Sequence, residues 1–154
     1  MNACAMARPG SCLALASSML PTIWPGDPLT FRPIAPSDLE IGAVLVYPNA
    51  RGLMVAHRVV GSDSEGGTRH LHMRGDAQEG HERVPVGAVA YVVTSVSGRL
   101  GDFSMFGPRG RLHRKVAMAP SGPLRQLRRQ SVALLLLVAS ARRRWRGLAR
   151  RVRR

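Results

Sequence analysis

Apolar positions in the first hundred residues come in short runs, each closed by glycine, proline or a polar cluster. Ala43-Val44-Leu45-Val46-Tyr47 is apolar throughout and bounded by Gly42 and Pro48, the pattern of a buried strand. Residues 53–60 alternate, with Leu53, Val55, His57 and Val59 on one face and Met54, Ala56, Arg58 and Val60 on the other. Residues 61–67 (Gly-Ser-Asp-Ser-Glu-Gly-Gly) read as a loop, and residues 68–73 as the partner strand of a hairpin, closed by Gly75-Asp76. Residues 86–96 predict a further strand. Upstream, Gly26-Asp27 predicts a turn before an extended run at 29–33, and residues 13–20 a short strand or turn. Residues 1–12 look irregular, and residues 33–41 and 77–85 read as loops. No repeat is present.

From Gly98 the pattern changes. Residues 98–123 are rich in Gly and Pro and read as a basic linker, after which Pro123 suits the first turn of a helix. Positions 124, 127, 131, 134, 138, 141, 145, 148 and 152 are then Leu, Leu, Ser, Leu, Val, Ala, Trp, Leu and Val, one helical face with the arginines off it. The chain therefore divides into a β-rich domain at 1–97, a linker at 98–123 and an Arg-rich amphipathic helix at 124–154.

Charge sharpens this division. Residues 1–108 carry eight Arg against nine Asp and Glu, a net of −1, whereas residues 109–154 carry fourteen Arg and one Lys with no acid, a net of +15. The body is near neutral and the tail seeks an anionic surface. A basic helix with Trp and Leu on its other face suits a membrane interface better than nucleic acid. Its all-apolar stretch, residues 132–139, is too short to span a bilayer, which takes about 20 residues. The apolar stretch at 12–20 is short and starts late for a secretion signal. Cys4 and Cys12 are too few for a disulfide scaffold and have no Cys-x-x-Cys spacing, so they are expected to be incidental small residues.

The candidate chemistry begins at Ser17-Ser18-Met19-Leu20-Pro21-Thr22-Ile23-Trp24-Pro25-Gly26-Asp27. Pro21 and Pro25 fix φ and lack donors, so the segment is no helix interior, and its stiffness can hold a serine in one place. A serine hydroxyl needs a base to take its proton, and His57, on the apolar face of a strand, can do so near neutral pH. Asp76, Glu79 and Glu82 follow in and after the next turn and offer a carboxylate to hold the imidazole. His70-x-His72 lacks a clear third ligand and reads as a pair of solvated strand histidines rather than a metal site.

Four motifs in this order resemble the type I signal peptidases over residues 13–96. Ser18-Met19-Leu20-Pro21-Thr22-Ile23 with Gly26-Asp27 resembles their nucleophile motif. Residues 41–47 resemble the following strand, with Ala43 where an Asp is usual. Val55-Ala56-His57-Arg58-Val59-Val60 resembles the base motif in the His form typical of the endoplasmic-reticulum and archaeal branch and of some bacterial members. Met73-Arg74-Gly75-Asp76-Ala77 resembles the last motif. The resemblance implies a mostly β fold, a coiled sheet carrying the catalytic core, and cleavage of a peptide or preprotein after small residues in an Ala-x-Ala-like pattern, without metal or cofactor. It implies Ser18 as nucleophile, His57 as general base, and the Ser18 N–H as oxyanion donor. In the His branch the orienting acid falls six residues after the Asp of the Gly-Asp pair. That position is Glu82 here, where an Asp is usual, and Asp76 is the second candidate. Ala16 stands where some members have a helping Ser. Bacterial members carry a membrane span just before the nucleophile, and the seventeen residues before Ser18 cannot span. The basic helix is expected to substitute as a surface anchor, giving a membrane-associated, bacterial enzyme; the alternatives are a soluble relative acting on a dedicated substrate, or a further segment upstream of the given start.

Two other readings follow from the same residues. The related self-cleaving repressor proteases share the Ser-Met and Gly-Asp signals but use Lys as base, and no helix-turn-helix segment accompanies them here. A non-enzymatic β-module, binding membrane or nucleic acid through its basic tail, is the alternative that Ala16, Ala43 and Glu82 leave open.

Overall fold

The computed structural model describes residues 4–8, 10–98 and 101–119. Residues 1–118 group as one compact unit. The amphipathic helix expected over 124–154 lies outside the described residues.

The protein is mostly β. Among the described residues nine strands form one antiparallel sheet: β1 (Cys4–Arg8), β2 (Ser11–Ala14), β3 (Pro28–Pro33), β4 (Val44–Pro48), β5 (Met54–Glu65), β6 (Thr68–Arg74), β7 (Glu82–Pro85), β8 (Tyr91–Val96) and β9 (Phe103–Ser104). The strand order is β1-β2-β3-β8-β4-β5-β6-β7, with β9 paired to β8. The helix α1 (Pro108–Met118) follows.

The inner strands supply two cores by alternation. Val44 and Val46 of β4, Ala56 of β5 and Val93 of β8 pack with Met19, Ile23, Leu29 and Phe31. Leu45 and Tyr47 of β4, Val55 and Val59 of β5 and Val92 of β8 pack with Leu71, Met73 and Val84. Residues of opposite parity on β4 enter different cores, so both faces of this strand are covered. That is why its sequence is continuously apolar rather than alternating.

Several local expectations differ from the structure. β5 runs through Glu65, and the hairpin turns at Gly66-Gly67, whose φ of 56° and 76° suits the tight turn that a right-handed strand twist favours. The polar stretch 61–65 is therefore strand. Its ladder to β6 is held by backbone hydrogen bonds, which polar composition does not prevent. Residues 77–85, read as a loop, contain β7, and residues 1–12 contain β1 and the start of β2. Residues 86–96 are not one strand, because a 3-10 turn over Val86–Ala88 precedes β8.

The segment 98–123 is likewise more than a linker, since it carries β9 and α1. Gly110 has a packing role there: it is buried, and an added Cβ would fall 2.1 Å from the Met105 carbonyl oxygen. Cys12 is buried and disulfide-bonded, and so is not the incidental small residue its sequence context suggested.

Candidate active site

Ser18 lies in the run of turns between β2 and β3. Hydrogen bonds close this segment at its base: Gly26 N–H donates to Ala14 O at 2.6 Å and Ala14 N–H to Asp27 O at 3.0 Å. The Asp27 carboxylate accepts the Trp24 N–H at 2.8 Å, and Ile23 N–H reaches Met19 O at 3.0 Å. Met19 and Ile23 are buried in the first core, while Ser18 between them and β2 is partly exposed. From the other side, Ala77 N–H donates to Ser18 O at 2.8 Å. Gly75 makes that approach possible, since a Cβ there would fall 2.6 Å from Ser18 O and 3.0 Å from Ser18 Cβ.

His57 sits on β5 opposite Leu45 of β4 and is 5% exposed. Its Nε2 lies 3.3 Å from Ser18 Oγ, slightly longer than an ideal hydrogen bond. The sheet thus brings together two residues 39 apart in sequence. Burial lowers the pKa of His57 below its ordinary value, and the charges of Glu82 and Asp76 partly oppose this. The imidazole therefore stays neutral, and able to accept a proton, to lower pH than a solvated histidine.

Neither candidate carboxylate touches His57. The Tyr47 hydroxyl stands 3.0 Å from His57 Nδ1 and donates to Glu82 Oε2 at 3.0 Å. Glu82 is therefore joined to His57 through Tyr47, not directly as the sequence suggested. Three strand spacings, about 14 Å in a flat sheet, separate β4 from β7, so this contact requires the sheet to coil. Burial first, and the neighbouring Glu82 second, hold the Tyr47 hydroxyl well above its ordinary pKa, so it remains protonated. Sequence reasoning passed over Tyr47 as a core residue. Its signal was register: Leu45 pairs His57 and Tyr47 pairs Val55, which makes Tyr47 and His57 diagonal neighbours on one face.

Asp76 has another task. Arg58 grips it with Nε at 2.8 Å and Nη2 at 2.7 Å, and the Thr22 hydroxyl donates to it at 2.5 Å. Arg58 also donates to Gly42 O at 2.8 Å. Arg58 and Asp76 are almost fully buried, at 1% and 2% exposure. This side-chain network stands beside a turn that Gln78 N–H closes on Gly75 O at 2.9 Å. It ties the Ser18 loop, through Thr22, to β5 and to the loop after β6.

His70 and His72 flank Asp63, with His72 Nε2 at 2.7 Å, but the Asp63 carboxylate is also held by Arg83 at 2.8 Å. Among the described residues no group of three or more His, Cys, Asp and Glu is arranged to hold a metal ion. No described helix is long and apolar enough to cross a membrane.

Compared with protein-family models, curated proteins and solved structures, the chain matches none of them.

Proposed function

We propose that the protein is a serine endopeptidase similar to the type I signal peptidases, cleaving extended peptides after small residues. The observation that carries this reading is the approach of His57 Nε2 to Ser18 Oγ at 3.3 Å, with the serine partly exposed and the histidine buried. The Ser18 N–H is the proposed oxyanion donor.

In the reaction, Ser18 Oγ attacks the scissile carbonyl carbon while its proton passes to His57 Nε2, and the carbonyl π pair moves onto oxygen. Collapse of the tetrahedral intermediate expels the amine, which takes the proton from Nε2–H and leaves an acyl-Ser18 ester. Water then attacks the ester, gives a proton to Nε2, and the returning proton restores Ser18 as the acid product leaves.

Attachment to an anionic membrane surface is part of the proposal. Besides the basic tail, α1 supports it: Leu112 and Val116 are 61% and 46% exposed, beside the exposed Arg111 and Lys115. Aliphatic side chains flanked by cations suit a headgroup interface.

The test is cleavage of a peptide bearing an Ala-x-Ala site by the full chain with anionic liposomes. Wild type is expected to cleave it, and Ser18→Ala and His57→Ala are not. Liposome binding without cleavage by any form would overturn the peptidase reading in favour of a binding module.

A further inference from the structure

The histidine's partner hydrogen bonds contain a directional ambiguity that only the third group resolves. A neutral imidazole carries one N–H, and a serine nucleophile is activated only if that N–H is on Nδ1, leaving the Nε2 lone pair to face Oγ. A carboxylate beside Nδ1 enforces this because it can only accept. A tyrosine hydroxyl does not, because it can donate as well as accept. Tyr47 alone could give its proton to His57 Nδ1, which would push the imidazole proton onto Nε2 and aim it at Ser18.

We infer that Tyr47 is the positioning residue of His57, and that Glu82 acts by fixing which way the Tyr47 hydroxyl points. The inference rests on the serine peptidase reading for its catalytic meaning. The geometry for it is on one face of the sheet. Glu82 Oε2 receives the phenolic proton at 3.0 Å, so the phenolic oxygen offers its lone pairs to Nδ1–H, also at 3.0 Å. Nε2 is then the acceptor nitrogen toward Ser18 Oγ, 3.3 Å away. The chain Glu82–Tyr47–His57–Ser18 carries a single direction, set at its exposed acidic end.

Tyr47 is fully buried, with its ring edge-on to His57 at a centroid distance of 6.0 Å, so packing as well as hydrogen bonding holds the imidazole plane. Glu82, by contrast, is an exposed residue on β7, opposite Met73. Its carboxylate can be removed without opening a core cavity. No proton leaves Nδ1 during the reaction. When Ser18 gives its proton to Nε2, the imidazolium charge is met by the phenolic oxygen, polarised by the Glu82 carboxylate behind it.

The experiment combines 15N NMR of histidine-labelled full-length protein, above the pH at which His57 protonates, with hydrolysis kinetics. Wild type, Tyr47→Phe, Glu82→Ala and the double variant are compared. In wild type the His57 proton is expected on Nδ1. In Tyr47→Phe, which keeps the ring, and in Glu82→Ala, which frees the phenolic proton to turn toward Nδ1, it is expected to move to Nε2.

Each single variant is expected to lower kcat by roughly 10²–10³-fold with KM changed less than about three-fold, since the lost tautomer matters to proton transfer and not to peptide binding. The double variant is expected to lose no more than Tyr47→Phe alone, because Glu82 acts only through Tyr47. Retention of Nδ1–H in both single variants would overturn the inference, as would losses that multiply in the double variant. If Tyr47→Phe does not fold, Glu82→Ala alone decides through the same tautomer measurement. Should wild type hydrolyse nothing, the peptidase reading fails while the tautomer measurement still judges the Tyr47 assignment.

Discussion

Ser18 is held by its neighbours' smallness as much as by its own loop. Gly75 has ordinary backbone angles and is needed only for space, because a methyl group there would meet Ser18 O at 2.6 Å and Gln78 Oε1 at 2.7 Å. Gly75→Ala is therefore expected to destabilise the fold by about 1–3 kcal/mol, the range for overpacking. It should also lower kcat by about 10²-fold if Ser18 shifts by as much as about 1 Å. Thermal unfolding and single-turnover hydrolysis together check this; unchanged turnover with lowered stability would mean that Ser18 does not move. The second prediction at this scale concerns His57. Its pKa is lowered by burial, so the acid limb of kcat/KM should have an apparent pKa below the ordinary histidine value of 6.5. A pH–rate profile reads this directly, and a limb at or above 6.5 would count against His57 as the base.

At the scale of elements, the Ser18 loop, β5 and the loop after β6 are separate pieces of chain joined by a buried ion pair and the Thr22 hydroxyl. Arg58 projects from β5 on the face opposite His57, so a single strand carries the candidate base on one side and the clamp on the other. Asp76 receives both Arg58 and Thr22, and removing the carboxylate would leave a guanidinium buried without its charge partner. Asp76→Asn is expected to cost about 3–5 kcal/mol in denaturant unfolding, the range for breaking a buried pair. Arg58→Met in the same background should cost less than the sum of the two single changes. Additive losses would show that the two side chains do not act as a unit. The same network explains why Asp76 cannot serve the histidine: its oxygens are turned to Arg58 and Thr22.

The whole molecule divides into a near-neutral sheet and a cationic C-terminal segment, and the two halves give different responses to solution conditions. Within the sheet unit, burial is the leading cause lowering the pKa of both His57 and His113. Between each lowered value and the unfolded value of about 6.5, the unfolded chain holds more protons. Stability therefore rises with pH across that window: the contribution is complete above about 6.5 and is lost as pH falls through it. His113→Gln should flatten this dependence, measured by denaturant unfolding between pH 5 and 8, and an unchanged slope would remove His113 as a source. For the cationic segment, binding of the full chain to anionic vesicles should weaken steeply as salt approaches about 1 M, where the Debye length is about 3 Å. Salt-independent binding would mean that apolar insertion, not charge, holds the protein to the surface.

How much of this was legible depended on whether the information was local. The mostly β character follows from runs of alternating or continuous apolar residues between Gly and Pro, and β4 and the β5–β6 hairpin follow from pattern alone. The stiffness of the Ser18 segment and the charge division are likewise properties of composition. Pattern failed where polar residues dominate strands, as in residues 61–65 and in β7 with Val84 alone packed inward, because a backbone ladder stabilises them without a continuous apolar face. It failed at α1 because Gly110, which reads as part of a linker, is there for close packing against Met105. Ser18 and His57 could be named as candidates from residue type, but their 3.3 Å approach depends on strand pairing across 39 residues. The roles of the two carboxylates could not be read at all. Asp76 and Glu82 differ in sequence by six positions, and only the tertiary fold turns one toward Arg58 and the other toward Tyr47. Sequence by itself determined which groups exist and which segments are stiff, apolar or charged, since these are properties of neighbouring residues. The coil of the sheet decided which groups meet, because a hydrogen bond between β4 and β7 depends on a curvature summed over every strand between them.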